Sequence, residues 1–167
     1  MYKIGYIGNF ETVPQVVEYI INSDIEKLEE EYKKGWDINK KIFIHEFVIE
    51  TPLEIAIQCI KEEVIMWLLE KGVNVKAEID DWGSPISSAG RFLSSDMCEL
   101  LIKHGALENL TKRQYERIFA DIYYGKKFEN IDIFEKYGVT VKKYGNNCLR
   151  KAVYDRNIEL AQMFLDY

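Results

Sequence analysis

Between Thr51 and Gly72 the apolar residues fall into two sets at helical spacing. Leu53, Ala56, Ile57 and Ile60 recur at steps of three and four, so they share one face of a helix. Val64, Ile65, Trp67, Leu68 and Leu69 form a second face further along. The punctuation agrees with two helices. Thr51 offers a hydroxyl to the unpaired N–H groups of a first turn. Pro52 follows at the first helical position, where a missing N–H costs nothing. Gly72 closes the second helix, since glycine enters a left-handed cap without penalty. Helices this short are marginal alone, so the pair must bury its faces against neighbours.

The neighbours are imperfect copies of the same pattern. Ser84-Pro85-Ile86 with Ala89 repeats the start of the pair, and Gly105 and Gly138 repeat its close. An earlier pair runs from Thr12 to Asn22 and from Ser23 to Tyr32, ending at Gly35. A later one starts near Asn147-Cys148-Leu149, places Ala152 in phase and continues through Ile158–Leu165. The copy from Thr111 to Gly138 has Ala120 and Phe134 in phase, with a longer inter-helix turn expected at Tyr124–Asn130. Lys40–Glu50 (KKIFIHEFVIE) is rich in β-formers and predicts an extended β-hairpin. Met1–Phe10 predicts a short extended lead-in over the first pair. The chain thus divides into a lead-in at 1–11 and repeats at about 12–39, 51–77, 84–110, 111–142 and 147–167, expected as one domain.

Thr-Pro-Leu with Ala56 three residues on, the Leu-Leu pair before Gly72, and Gly35-Trp36-Asp37-Ile38-Asn39 resemble the ankyrin repeat, whose period is about 33 residues. The resemblance implies an all-α ankyrin-repeat solenoid of about five helix-turn-helix repeats with one extended β-hairpin connection. Two departures matter. The histidine that follows Thr-Pro-Leu in the family is Glu54, Ser87 and Arg150 here. The glycine that commonly separates the two helices is missing.

Composition adds little to the fold and more to the chemistry. Cys59, Cys98 and Cys148 are far apart and make no metal or redox spacing, so they are expected as reduced, small apolar fillers. No apolar run approaches a membrane span and no leader is visible, which makes a cytoplasmic location the expectation. Abundant Ile, Lys, Asn and Tyr with scarce Ala suggest an AT-rich, bacterial genome. Of the two histidines, His45 lies in the predicted hairpin and His104 beside a helix-closing glycine. No metalloprotease, nucleophile-elbow, phosphate-loop or Cys/His ligand pattern appears. The expectation is no enzyme, no cofactor, no metal, and neither nucleic acid nor membrane as partner.

The resemblance also implies a protein-binding role through a concave face made of hairpin tips and first-helix ends. Carried onto this chain, with its acidic and aromatic residues, that face holds Glu46, Phe47, Glu50, Glu78, Asp80, Asp81, Trp82, Arg91, Phe92, Tyr144 and Tyr154. Trp82 stands where the family has its turn glycine, as an aromatic anchor would. Residues 1–100 carry a net charge of −9 and residues 101–167 a net charge of +3. The acidic part would steer a basic partner. A short, isolated protein of this kind resembles ankyrin-type immunity proteins, which neutralise a cognate toxin, here a basic, nuclease-like one. The alternative is a cytoplasmic adaptor or self-associating scaffold. A monomer is expected ahead of a homodimer, which would form through an apolar patch at Met163, Phe164 and Leu165.

Overall fold

The computed structural model describes residues 1–4, 8–45, 48–76 and 83–167, with backbone alone at 2, 8–10 and 45. Contacts gather the chain into two units, Met1–Ile79 and Asp80–Tyr167. Helix is the main regular structure of each, and the second is mostly helical.

The first unit opens with strands β1 (Tyr2–Ile4) and β2 (Gly8–Phe10), paired antiparallel with Tyr2 opposite Phe10. Ile4 is fully buried, and the Cys59 Sγ lies 3.7 Å from the Lys3 carbonyl. Helices α1 (Gln15–Asn22) and α2 (Ile25–Lys33) form the first pair. The predicted hairpin is present as β3 (Ile42–His45) and β4 (Val48–Glu50). Its register shifts between Phe43 and His45, and this bulge accompanies an inward Ile44 and an outward Phe43. Helices α3 (Pro52–Gln58) and α4 (Glu62–Glu70) are the second pair, and α1 packs on α3. The Trp67 indole donates to Glu29 Oε2 at 3.0 Å and Lys71 Nζ reaches the same oxygen at 2.8 Å, tying α4 to α2.

The second unit holds α5 (Pro85–Phe92), α6 (Ser95–Lys103) and α7 (Lys112–Gly125), then a 3₁₀ turn at Phe128–Asn130 running into α8 (Ile131–Lys136). The short α9 (Val141–Tyr144), α10 (Asn146–Tyr154) and α11 (Ile158–Asp166) complete it. Helix α5 packs on α7 and α7 on α10, while α6 packs on α8. The expected long turn at Tyr124–Asn130 is corrected here. Helix α7 continues to Gly125, and only Lys126 and Lys127 remain as turn before the 3₁₀ segment.

The caps explain why these segments fold locally. Thr51, Ser84 and Thr111 each accept from the amide three residues on. At the positions of the missing histidine, Ser87 and Gln114 return the bond to the cap amide and close a capping box. Glu54 is buried and accepts from Gln58 Nε2 at 2.9 Å. The second helices end in one motif. Gly35, Gly72, Gly105 and Gly138 all have positive φ, and each donates back to a helix carbonyl while its successor reaches one further.

The first helices end the same way without glycine. Ser23, Ile60, Lys126 and Arg156 sit at φ 55–56° and close α1, α3, α7 and α10 with the same two bonds. Helix α5 is the exception, since Leu93 is extended there. Its end is completed from elsewhere. The fully buried Asn130 donates through Nδ2 to the Gly90 carbonyl at 3.0 Å and the Leu93 carbonyl at 3.1 Å. Its Oδ1 accepts from Ser95 Oγ at 2.8 Å. Helix α7 also approaches α5 closely at this end. A Cβ on Gly125 would stand 2.3 Å from the Arg91 carbonyl oxygen, which only glycine avoids.

Candidate functional site

In the second unit the C-terminal ends of the first helices bring together Arg91 and Phe92 from α5, Tyr123 and Tyr124 from α7, and Lys151, Tyr154 and Asp155 at α10. The Arg91 guanidinium lies 5.4 Å from the Phe92 ring and 6.0 Å from the Tyr124 ring. Its Nη1 is 3.7 Å from Asp121 Oδ1, and Arg117 Nε donates to Asp121 Oδ2 at 2.9 Å. Burial raises the Asp121 pKa, against the pull of Arg117 and then Arg91. This carboxylate fixes the base of the surface.

Toward α10, the Tyr123 hydroxyl donates to Asp155 Oδ2 and Lys151 Nζ donates to Asp155 Oδ1, both at 2.8 Å. Lys151, followed by Tyr123, holds the Asp155 carboxyl below its usual range. Lys151 also sits 5.4 Å from the Tyr154 ring. Between α7 and α10 lies a groove of about 180 Å³ lined by Ala120, Tyr123, Tyr124, Asn147, Cys148 and Lys151. Tyr124 is 57% exposed and Tyr154 83%, so two large rings stand out beside it. Burial pushes the Cys148 thiol at its floor up to about 12, which favours the protonated form at neutral pH. The surface therefore offers aromatic contact area with charges already paired, a composition suited to binding.

The expected site residues divide. Arg91, Phe92 and Tyr154 belong to this surface. Tyr144 is buried, stacked on Tyr115 with ring centroids 4.8 Å apart and with Lys143 Nζ 4.9 Å away. Glu50 is half-buried at the end of β4, in the other unit. Glu46, Phe47, Glu78, Asp80, Asp81 and Trp82 lie outside the described residues. Tyr124, Asn147 and Lys151 were not expected. The sequence pattern places Tyr124 in a turn, and only the extension of α7 sets it one turn beyond Ala120 on a helix face.

Phe164 corrects the expected patch at Met163–Leu165. It is buried against Tyr123 and Phe128, with ring centroids 6.3 and 6.4 Å away, while Leu165 faces outward. His104 Nδ1 lies 2.9 Å from the Leu100 carbonyl at the end of α6. Among the described residues no group of three His, Cys, Asp or Glu is placed to hold a metal. Nor is any described helix long and apolar enough to cross a membrane. No protein-family model matches the chain, and no curated protein sequence matches it.

Proposed function

We propose that the protein is a non-catalytic, protein-binding chain of ankyrin-type repeats, each unit being a run of them. The observation that carries this reading is the row of first-helix ends at α5, α7 and α10, where Tyr124 and Tyr154 flank a groove and their charged neighbours are already paired. Preformed, packed aromatic side chains lose little freedom on binding, which favours a stable complex. The recurring glycine caps at Gly72, Gly105 and Gly138 support the repeat assignment.

The partner is a basic, nuclease-like toxin domain, and the protein acts as its immunity protein. Support comes from the net charge of −9 over residues 1–100, which would steer a basic protein, with the aromatic surface of the second unit as anchor. The test is affinity capture from the native lysate with three baits: wild type, Tyr124→Ala/Tyr154→Ala, and Asp80→Lys/Asp81→Lys/Trp82→Ala. The expected result is one basic protein held by the wild type, bound at least ~10-fold more weakly by either variant, and inhibited as a nuclease in the complex. Equal capture by all three baits removes the proposed surface. Capture of a protein whose activity is unchanged by binding leaves a binding module and removes the immunity role.

A further inference from the structure

Helices α10 and α11 pack against each other and leave an apolar groove of about 240 Å³ between them, lined by Val153, Arg156, Ile158, Ala161, Gln162 and Leu165. Val153 is 62% exposed, Ile158 82% and Leu165 62%. Isolated exposed apolar residues are ordinary, but three lining one groove mark an interaction surface.

The charges beside this groove are sorted by helix. Arg150 lies with Leu149 and Val153 on the α10 side, and Arg156 sits at the turn between the helices. Glu159 and Asp166 lie with Ile158 and Gln162 on the α11 side. Among the described residues Arg150, Arg156 and Glu159 have no ion-pair partner, and Asp166 accepts only from Gln162 Nε2 at 2.7 Å.

We propose that a second copy of this chain covers the groove, related by a two-fold axis parallel to the helix pair. Such an axis lays α10 of one copy on α11 of the other. The helices of a pair run in opposite directions, so the turn ends meet and the open ends meet. Arg156 then faces Glu159 of the second copy, and Arg150 lies level with its Gln162, about one helical turn short of Asp166. The contact is isologous, so each pairing occurs twice. The perpendicular axis would lay α10 on α10 and set like charges together. The face is thus complementary to itself in one orientation, while Val153, Ile158 and Leu165 close over one another at its centre.

This inference does not rest on the protein-binding reading: its core is the α10–α11 groove, which adjoins the binding surface only at Asn147, Lys151 and Tyr154. It replaces the monomer expected from the sequence. The test is sedimentation of the full chain from low to high micromolar concentration. Wild type is expected at twice the 19.7 kDa chain mass. Ile158→Asp and Leu165→Asp, at exposed positions that leave the helices intact, are each expected at the single mass with unchanged circular dichroism. Arg156→Glu is expected to weaken the dimer ~10-fold and Arg156→Glu/Glu159→Arg to restore it. A single mass at every wild-type concentration overturns the proposal, including when this face captures some other protein. A dimer that survives Ile158→Asp places the contact elsewhere and also overturns it. Failure of the charge exchange to restore association overturns the two-fold arrangement.

Discussion

Ile60 carries a β-branched side chain at φ 56°, a left-handed conformation that L-residues adopt at a cost of about 1–2 kcal/mol. The side chain is more than half exposed, so little packing offsets this cost. Replacing it with glycine relieves the strain while raising the freedom of the unfolded chain, two effects of opposite sign. Ile60→Gly is therefore expected to gain about 0.5–1 kcal/mol, read as a higher urea midpoint. Glu99 presents the reverse case, a side chain better placed folded than unfolded. Lys136, then Lys103 and the Tyr137 hydroxyl, hold its carboxyl down to about 2 from an ordinary 4.5. A depressed carboxyl stabilises the fold above its unfolded pKa and loses that contribution as pH falls through the folded one. Between pH 4.5 and 2 the urea midpoint of the wild type should fall more steeply than that of Glu99→Gln. Parallel curves would show that the cluster is screened by solvent.

At the scale of elements, caps and glycines made the helices legible. Thr51-Pro52 and Ser84-Pro85 begin helices where the sequence puts them, and Gly72, Gly105 and Gly138 end helices in phase. The β3–β4 hairpin was legible from its β-branched and aromatic content. The length of α7 was not. Gly125 reads as a turn residue, but the close approach of α7 to the Arg91 carbonyl leaves no room for a Cβ there, a tertiary reason no local window contains. The end of α5 was likewise hidden, because its cap is Asn130, about forty residues downstream. Asn130→Ala leaves two buried carbonyls without that donor and is expected to cost about 2–3 kcal/mol. Asn130→Asp should be as damaging, since a carboxylate there presents acceptor to acceptor. Thermal unfolding of both variants against wild type measures this, and an Asp variant as stable as wild type would show that the cap is dispensable.

At the scale of the molecule, the sequence supplied the helix pairs and the sign of the charge, and less of the candidate surface. Phe92 and Tyr154 could be placed by carrying the first-helix ends from one helix pair to the next, because those helices keep their phase. Tyr144 could not, since the α9 turn rotates it inward onto Tyr115. The outward set of Val153, Ile158 and Leu165 also escaped a pattern reading, which cannot tell the two apolar sides of a terminal helix pair apart and placed Phe164 on the wrong one. The Asn130 cap reaches beyond stability. A helix pair can be cut out of a chain cleanly only where the neighbours left behind are chemically complete. Here the end of α5 borrows its closing amide from Asn130, at the start of α8. A library that shuffles helix pairs of this chain should therefore keep Ser84 to Gly138 as one indivisible cassette.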